Sequence, residues 1–230
     1  MDISLYYQEK GSGPPIILLH GNGSNGDYFK HQIDYFSNNY RMIAVDTRGH
    51  GKSPRGNLPF TKNQFVEDLN NLLNILELSK VILLGFSDGA NIAMKYAIKY
   101  PEKIAALILN GGNLNTKGVK KSTQFFIELG YKMAKIYSEK SETAKLNMEL
   151  LGLMVNEPNI KIEEINSIKI PTLVIAGKKD MIKESHTIEI ANNIPNAKLS
   201  IIKGDHFIAD KEPQAFNQEV EEFLAKTLEN

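Results

Sequence analysis

The run Gly85-Phe86-Ser87-Asp88-Gly89 sets a hydroxyl between two residues that lack side chains. It falls where a strand-like stretch, Val81-Ile82-Leu83-Leu84, gives way to a helix-like pattern. A strand that turns directly into a helix must reverse within a few residues. The residue at the apex is strained and its neighbours at −2 and +2 crowd one another, which glycine relieves. The turn also lifts the apical side chain above the carboxyl ends of the strands, where open α/β sheets bind ligands. Nucleophilic attack by Ser87 is the chemistry that fits, and Ala90 keeps the next position small. A glycine-rich turn with a capping serine would share the five-residue pattern; its place between strand and helix is what raises it.

A serine hydroxyl attacks only when a base takes its proton. His20 and His50 precede the serine and read as loop-packing residues, His31 lies on a helix face, and His186 starts a polar helix. His206, in Gly204-Asp205-His206-Phe207, follows the last strand-like run, so its loop can reach the side on which the serine emerges. It is the expected base. That base needs a carboxylate to hold its tautomer and stabilise the imidazolium. The run ending at Leu109 is followed by Asn110, not an acid, whereas the run ending at Ala176 leads through Gly177-Lys178-Lys179 to Asp180. Asp180 is therefore the expected orienting acid. Asp205 adjoins the histidine, where two side chains rarely face each other productively, and Asp210 reads as a helix cap. The chain order Ser87, Asp180, His206 is one of three in which such triads occur. A tetrahedral oxyanion would be held by the backbone amide of Asp88 and by a second from the glycine-rich stretch His20-Gly21-Asn22-Gly23, with Asn22 first and Gly23 next.

The elements that must position these groups are legible as short apolar runs at 16–19, 42–45, 81–84, 106–109, 172–176 and 199–202. Near-continuous hydrophobicity of this kind predicts parallel strands covered on both faces. Helix-period segments alternate with them. One starts at Thr61 with Gln64 three residues on as a capping box and carries Phe65, Leu69, Leu72, Leu73 and Leu76 on one face. Others run from Ser87 to about Lys99, ahead of Pro101, and from about Pro213 to Leu228 with Asp210 as N-cap. Ile3–Gln8 reads as an edge strand hairpinned onto Ile16–Leu19. The alternation lapses between about Leu114 and Ile165, where two helices, around Ser122–Tyr137 and Ser141–Met154, form an insertion over the sheet. The expected organisation is an α/β core from 1–113 and 166–230 with a helical cap from 114–165.

Composition narrows the partners. A formal net charge of +0 with interspersed signs steers toward neither nucleic acid nor an anionic membrane. Zero cysteines exclude disulfides and thiolate metal sites. The amino terminus lacks an apolar signal region and no run approaches a membrane span, so a soluble cytoplasmic protein is expected, and the sequon at Asn22 is incidental. Gly51-Lys52-Ser53 resembles the tail of a phosphate-binding loop, but the glycine that loop requires is Asp46. No histidine–acid spacing implies a metal.

With the elbow, the His20-Gly21 loop, the turn Asp46-x-Arg48-Gly49-His50-Gly51-x-Ser53, Gly177-x-x-Asp180 and Gly204-Asp205-His206-Phe207 in order, the chain resembles the α/β-hydrolase superfamily. The likeness covers nearly everything except the insertion. It implies an eight-stranded, mostly parallel sheet flanked by helices, its first strands antiparallel, with a small cap after the sixth strand and no cofactor. It also implies a small-molecule substrate, with the protein a monomer or homodimer. Serine members include esterases, thioesterases, lactonases, carbon–carbon bond hydrolases and perhydrolases, and fold does not choose among them. A small carboxylic ester is the expected substrate. A carbon–carbon hydrolase or enol-lactonase, or a ligand-sensing relative, is the alternative on the same triad. The cap side chains Phe125, Phe126 and Met133, together with Gly23 and Phe207, could line an acyl pocket. Asp88 resembles its counterpart in biphenyl-hydrolase-like amino-acid ester hydrolases. It could attract a substrate ammonium, or point away to a lysine or backbone amide.

Overall fold

The computed structural model describes residues 2–228. In chain order the elements are β1 (Tyr7–Lys10), β2 (Pro15–Leu19), α1 (Lys30–Phe36), β3 (Arg41–Val45), α2 (Lys62–Ile75), β4 (Val81–Phe86), α3 (Asp88–Lys99) and β5 (Ile104–Asn110). They continue with α4 (Lys121–Tyr137), α5 (Glu142–Asn156), α6 (Ile162–Ile165), β6 (Thr172–Gly177), α7 (Glu184–Asn193), β7 (Ala197–Ile202), α8 (Ile208–Lys211) and α9 (Pro213–Leu228).

Among the described residues the sheet has seven strands, in the order β1-β3-β2-β4-β5-β6-β7, and not the expected eight. The chain before Tyr7 buries Ile3 and Leu5 in the core without pairing as a further strand. Strand β1 alone runs antiparallel, and its partner is β3, with Tyr7 opposite Val45 and Lys10 opposite Met42. The expected hairpin onto Ile16–Leu19 does not form, for a simple reason. Strand β2 lies between β3 and β4 and spends its hydrogen-bonding groups on both, which leaves β3 as the open edge.

Strands β4 and β6 are buried at every position, and β2 and β5 nearly so. Two apolar layers account for that. On one face Ile17, Leu19, Leu83, Leu107 and Val174 meet α2, α3 and α7. On the other Ile16, Leu18, Ile82, Ile108 and Ile175 meet Phe216, Val220 and Leu224 of α9. Alternate residues of one strand thus serve opposite layers, each such side chain contributing about 1.5–3 kcal/mol on burial.

Half of the expected capping box forms at α2: Thr61 Oγ1 accepts the Gln64 N–H at 3.2 Å, whereas the Gln64 side chain donates forward to Asp68 Oδ1 at 3.0 Å instead of reaching back. Helix α3 stops at Tyr100, before Pro101. Helix α9 begins at Pro213, whose fixed φ suits the first helical position. Asp210 is not its N-cap. It sits within α8 and faces Lys30 at 3.4 Å and His31 at 3.7 Å.

The insertion follows the fifth described strand and not the sixth, because the chain before Tyr7 adds no strand: between β5 and β6 the chain forms α4, α5 and α6. Helix α4 has no buried residue and α5 only Leu153, while α6 anchors to the core through Ile165. Ser141 caps α5 by accepting the Ala144 N–H. The ion pair of Arg55 with Glu149, at 2.6 Å, ties α5 to the loop before α2.

Candidate active site

Every loop of the site leaves the carboxyl end of a parallel strand: 20–25 after β2, Ser87 after β4, Gly111 after β5, Asp180 after β6 and His206 after β7. Ser87 has φ 54° and ψ −116°, a conformation that L-residues seldom adopt and that costs about 1–3 kcal/mol. Its N–H donates to Asn110 O at 2.8 Å, which holds the turn against β5. A side chain at Gly85 would run into the backbone of Gly89, and one at Gly89 into the Leu19 carbonyl. The paired glycines thus let α3 start directly over β2 and β4.

The structure brings Ser87, His206 and Asp180 together. A carboxylate only accepts, so His206 Nδ1–H donates to Asp180 Oδ1 at 2.7 Å, which leaves Nε2 to accept the Ser87 hydroxyl at 2.9 Å. Asp180 Oδ1 also accepts the Ile182 N–H at 2.8 Å. Asp180 and His206 are 3% and 5% exposed, so the array works out of bulk water. Gly111, at φ +64°, passes so close that a Cβ there would lie 2.9 Å from His206 Cε1. Phe86 and Phe207 flank the imidazole, with ring centroids 4.9 and 5.5 Å away.

Asp88 opens α3, where the first amides have no partner within the helix and the dipole is positive. The loop after β2 runs beside it: a Cβ on Gly21 would lie 3.2 Å from Ser87 Cβ. A neutral His20 pins that loop, with Nδ1–H donating to Gly21 O at 2.7 Å and Nε2 accepting the Thr47 N–H at 3.0 Å. Burial, with the neighbouring His50 adding to it, pushes the His20 pKa down to about 4. His50 packs edge-on to His20 with centroids 5.0 Å apart, and burial lowers its pKa too. The Asn22 side chain donates to Leu150 O of α5 at 2.5 Å, and Gly23, at φ +71°, has open space where a side chain would be.

The Asp88 carboxylate turns to a lysine. Lys62 Nζ lies 3.2 Å from Asp88 Oδ1 and also donates to Leu153 O at 2.9 Å, its side chain wholly buried. Sequence reasoning missed Lys62. The available signal was a cation in the first turn of a helix, where the dipole disfavours it.

A groove of about 560 Å³ lies between α4, α5 and the β2 loop, lined by Asn22, Gly23, Met133, Tyr137, Leu150 and Met154 among others. Of the residues proposed for an acyl pocket, Met133 and Gly23 line this groove. Phe125 does not: it lines a separate groove with Val119 and Lys183. Phe126 is 68% exposed on α4. The reason is rotational. The half-buried face of α4 is made by Thr123, Ile127, Gly130, Tyr131 and Ala134, and Phe125 and Phe126 lie off it. Phe207, 44% exposed, stands at the rim beside His206. Among the described residues no group of three or more His, Asp and Glu could hold a metal, and no helix is long and apolar enough to cross a membrane.

The sequence model of a family described as alpha/beta hydrolase fold matches residues 14–150. A Synechocystis protein, provisionally named a non-heme chloroperoxidase, is 28% identical over 88% of this chain and 87% of its own. The (E)-2-((N-methylformamido)methylene)succinate hydrolase of Acinetobacter baylyi is 24% identical over 96% of this chain and 94% of its own. Among solved structures, a thermophilic esterase from Thermogutta terrifontis superposes with a TM-score of 0.83 at 23% identity, covering 98% of this chain and 94% of that one. At that identity the structural likeness speaks for the fold alone.

Proposed function

The chain belongs to the α/β-hydrolase family, and from that premise we propose that it is a serine hydrolase acting on small carboxylic esters. One observation carries the reading: the unbroken path from Ser87 Oγ through the His206 imidazole to Asp180, with contacts of 2.9 and 2.7 Å. Ser87 attacks the carbonyl carbon as His206 Nε2 takes its proton, and Asp180 stabilises the imidazolium. The amides of Asp88 and Asn22 hold the oxyanion. Collapse breaks the ester bond, and His206 returns the proton to the departing alcohol. Water, deprotonated by the same imidazole, then releases the acid.

The preference for a simple ester rests on the surroundings. The groove beside the β2 loop offers mostly apolar lining for an acyl or alcohol group. A diacid substrate would need a cationic clamp, yet all three arginines are engaged: Arg41 with Glu9, Arg48 with Asp2 and Asp68, Arg55 with Glu149. Carbon–carbon cleavage, lactone opening and ligand sensing use the same triad; multiple turnover separates the last, and a vinylogous 1,5-diketone and a lactone run beside the esters separate the other two.

The test is a fluorophosphonate probe with mass mapping, followed by a series of p-nitrophenyl esters from acetate to decanoate. Labelling is expected at Ser87, abolished in Ser87→Ala and strongly slowed in His206→Ala. Ester turnover should fall at least about 10³-fold in Ser87→Ala. Labelling that persists undiminished without His206 refutes that base. A single turnover per molecule, in place of many, favours the ligand-sensing alternative.

A further inference from the structure

Two amides, one in the loop after β2 and one at the start of α3, must converge on one oxygen if an oxyanion is to be held, and side chains tie both residues to a single helix. The Asn22 side chain donates to Leu150 O of α5 at 2.5 Å. Lys62 Nζ donates to Leu153 O of α5 at 2.9 Å while pairing with Asp88 Oδ1 at 3.2 Å. Leu150 and Leu153 are three residues apart, so their carbonyls lie on neighbouring turns of one helix face. Leu153 is in the last turn of α5, whose final carbonyls have no amide ahead of them in the helix, which makes it a natural acceptor for a cation. Glu157, just past α5, accepts the Lys62 N–H at 3.0 Å and closes the connection to α2.

We propose that α5 sets the geometry of the oxyanion hole, and that Lys62 is the positioning residue that couples it to Asp88; this rests on the serine-hydrolase reading. The electrostatics explain why a lysine is buried there. The Asp88 carboxylate sits on the residue whose own amide would hold the oxyanion. Uncompensated, it would oppose the negative charge that builds on the carbonyl oxygen. The carboxylate has few other partners: Asn91 donates to Oδ1 at 3.3 Å, and Oδ2 is buried with no partner among the described residues. Lys62 supplies the compensating charge at 3.2 Å. The tether to Leu153 O makes that compensation depend on where α5 lies.

The experiment compares wild type, Lys62→Met, Lys62→Met/Asp88→Asn and Asn22→Ala on p-nitrophenyl butyrate. Competent sites are counted with the fluorophosphonate, so that kcat is expressed per labelled Ser87. Lys62→Met should lower kcat roughly 10²-fold with KM changed less than about threefold, since the loss falls on the transition state. Removing the carboxylate as well should restore at least about tenfold of that loss, because the opposing charge has gone. Asn22→Ala keeps its amide and loses only the tether, and should cost about tenfold in kcat. A purely structural ion pair predicts otherwise: kcat per labelled site within about twofold of wild type, or a double variant no better than the single one, overturns the proposal. Should Lys62→Met not fold, Lys62→Gln, which keeps a donor toward Leu153 O, enters the same comparison with and without Asp88→Asn. Failure of the wild type to label at Ser87 is a distinct result, and it removes the hydrolase reading on which the proposal stands.

Discussion

His20 shows how a residue outside the candidate triad can hold the loop beside it. Its ring must be neutral to donate to Gly21 O through one nitrogen and accept from Thr47 N–H through the other. An unfolded chain has no such need and binds a proton near the ordinary histidine value of about 6.5. With the folded pKa down at about 4, the unfolded state binds more protons between the two values, so stability falls as pH drops from 6.5 toward 4. The loss is roughly 3 kcal/mol from His20, with His50 shifted in the same direction. Urea melts at pH 7.5, 5.5 and 4.5 should show the decline, and His20→Asn should flatten it; an equal slope in the variant would assign the acid sensitivity elsewhere. Ser87, His206 and Asp180 could be brought together from sequence because each follows a strand-like run within a few residues, and strand ends on a parallel sheet share one edge. Lys62 could not be singled out, because its role depends on three partners, Asp88, Leu153 and Glu157, that no local pattern joins to it.

Among the elements, the junction of β4 and α3 leaves no room for a side chain at Gly85 or Gly89. The start of α3 lies against the carbonyl of Leu19, and a methyl group at Gly89 would collide with it. Gly89→Ala should therefore cost about 1–3 kcal/mol of overpacking and remove nearly all of the proposed ester turnover, because α3 carries the Asp88 amide with it. Denaturant titration alongside ester turnover checks both effects, and full activity would show that the helix can shift without consequence. Strands β2, β4, β5 and β6 were legible as unbroken apolar runs since each is covered on two sides. Pairing was harder to read. The partner of β1 is decided by which edge is left over once β2 has used both of its own, and that is a property of the assembled sheet. The start of α9 was visible in Pro213, whereas Asp210 looked like a cap only because its ion-pair partners, Lys30 and His31, lie far away in sequence.

Across the whole molecule, order is unevenly distributed. Buried side chains crowd the central strands, while α4 leaves Phe125, Phe126 and Ile136 each more than 60% exposed. Local opening follows burial, so amides of α4 should exchange with deuterium orders of magnitude faster than those of β4 and β5. Peptide-resolved exchange at neutral pH measures this directly, and equal protection would mean that the cap is held by more than its packing on α5. The orientation of the two phenylalanines escaped the sequence because the apolar residues of α4 exceed what one packed face can take. The common direction of the strands has a practical side too. All the residues of the candidate site crowd one rim, and Lys80, exposed just ahead of Val81, marks the other, about 20 Å away along β4. The natural chain carries no thiol, so Lys80→Cys would offer a unique handle. Molecules coupled to a solid support through it would all stand with their reactive mouths turned to the liquid.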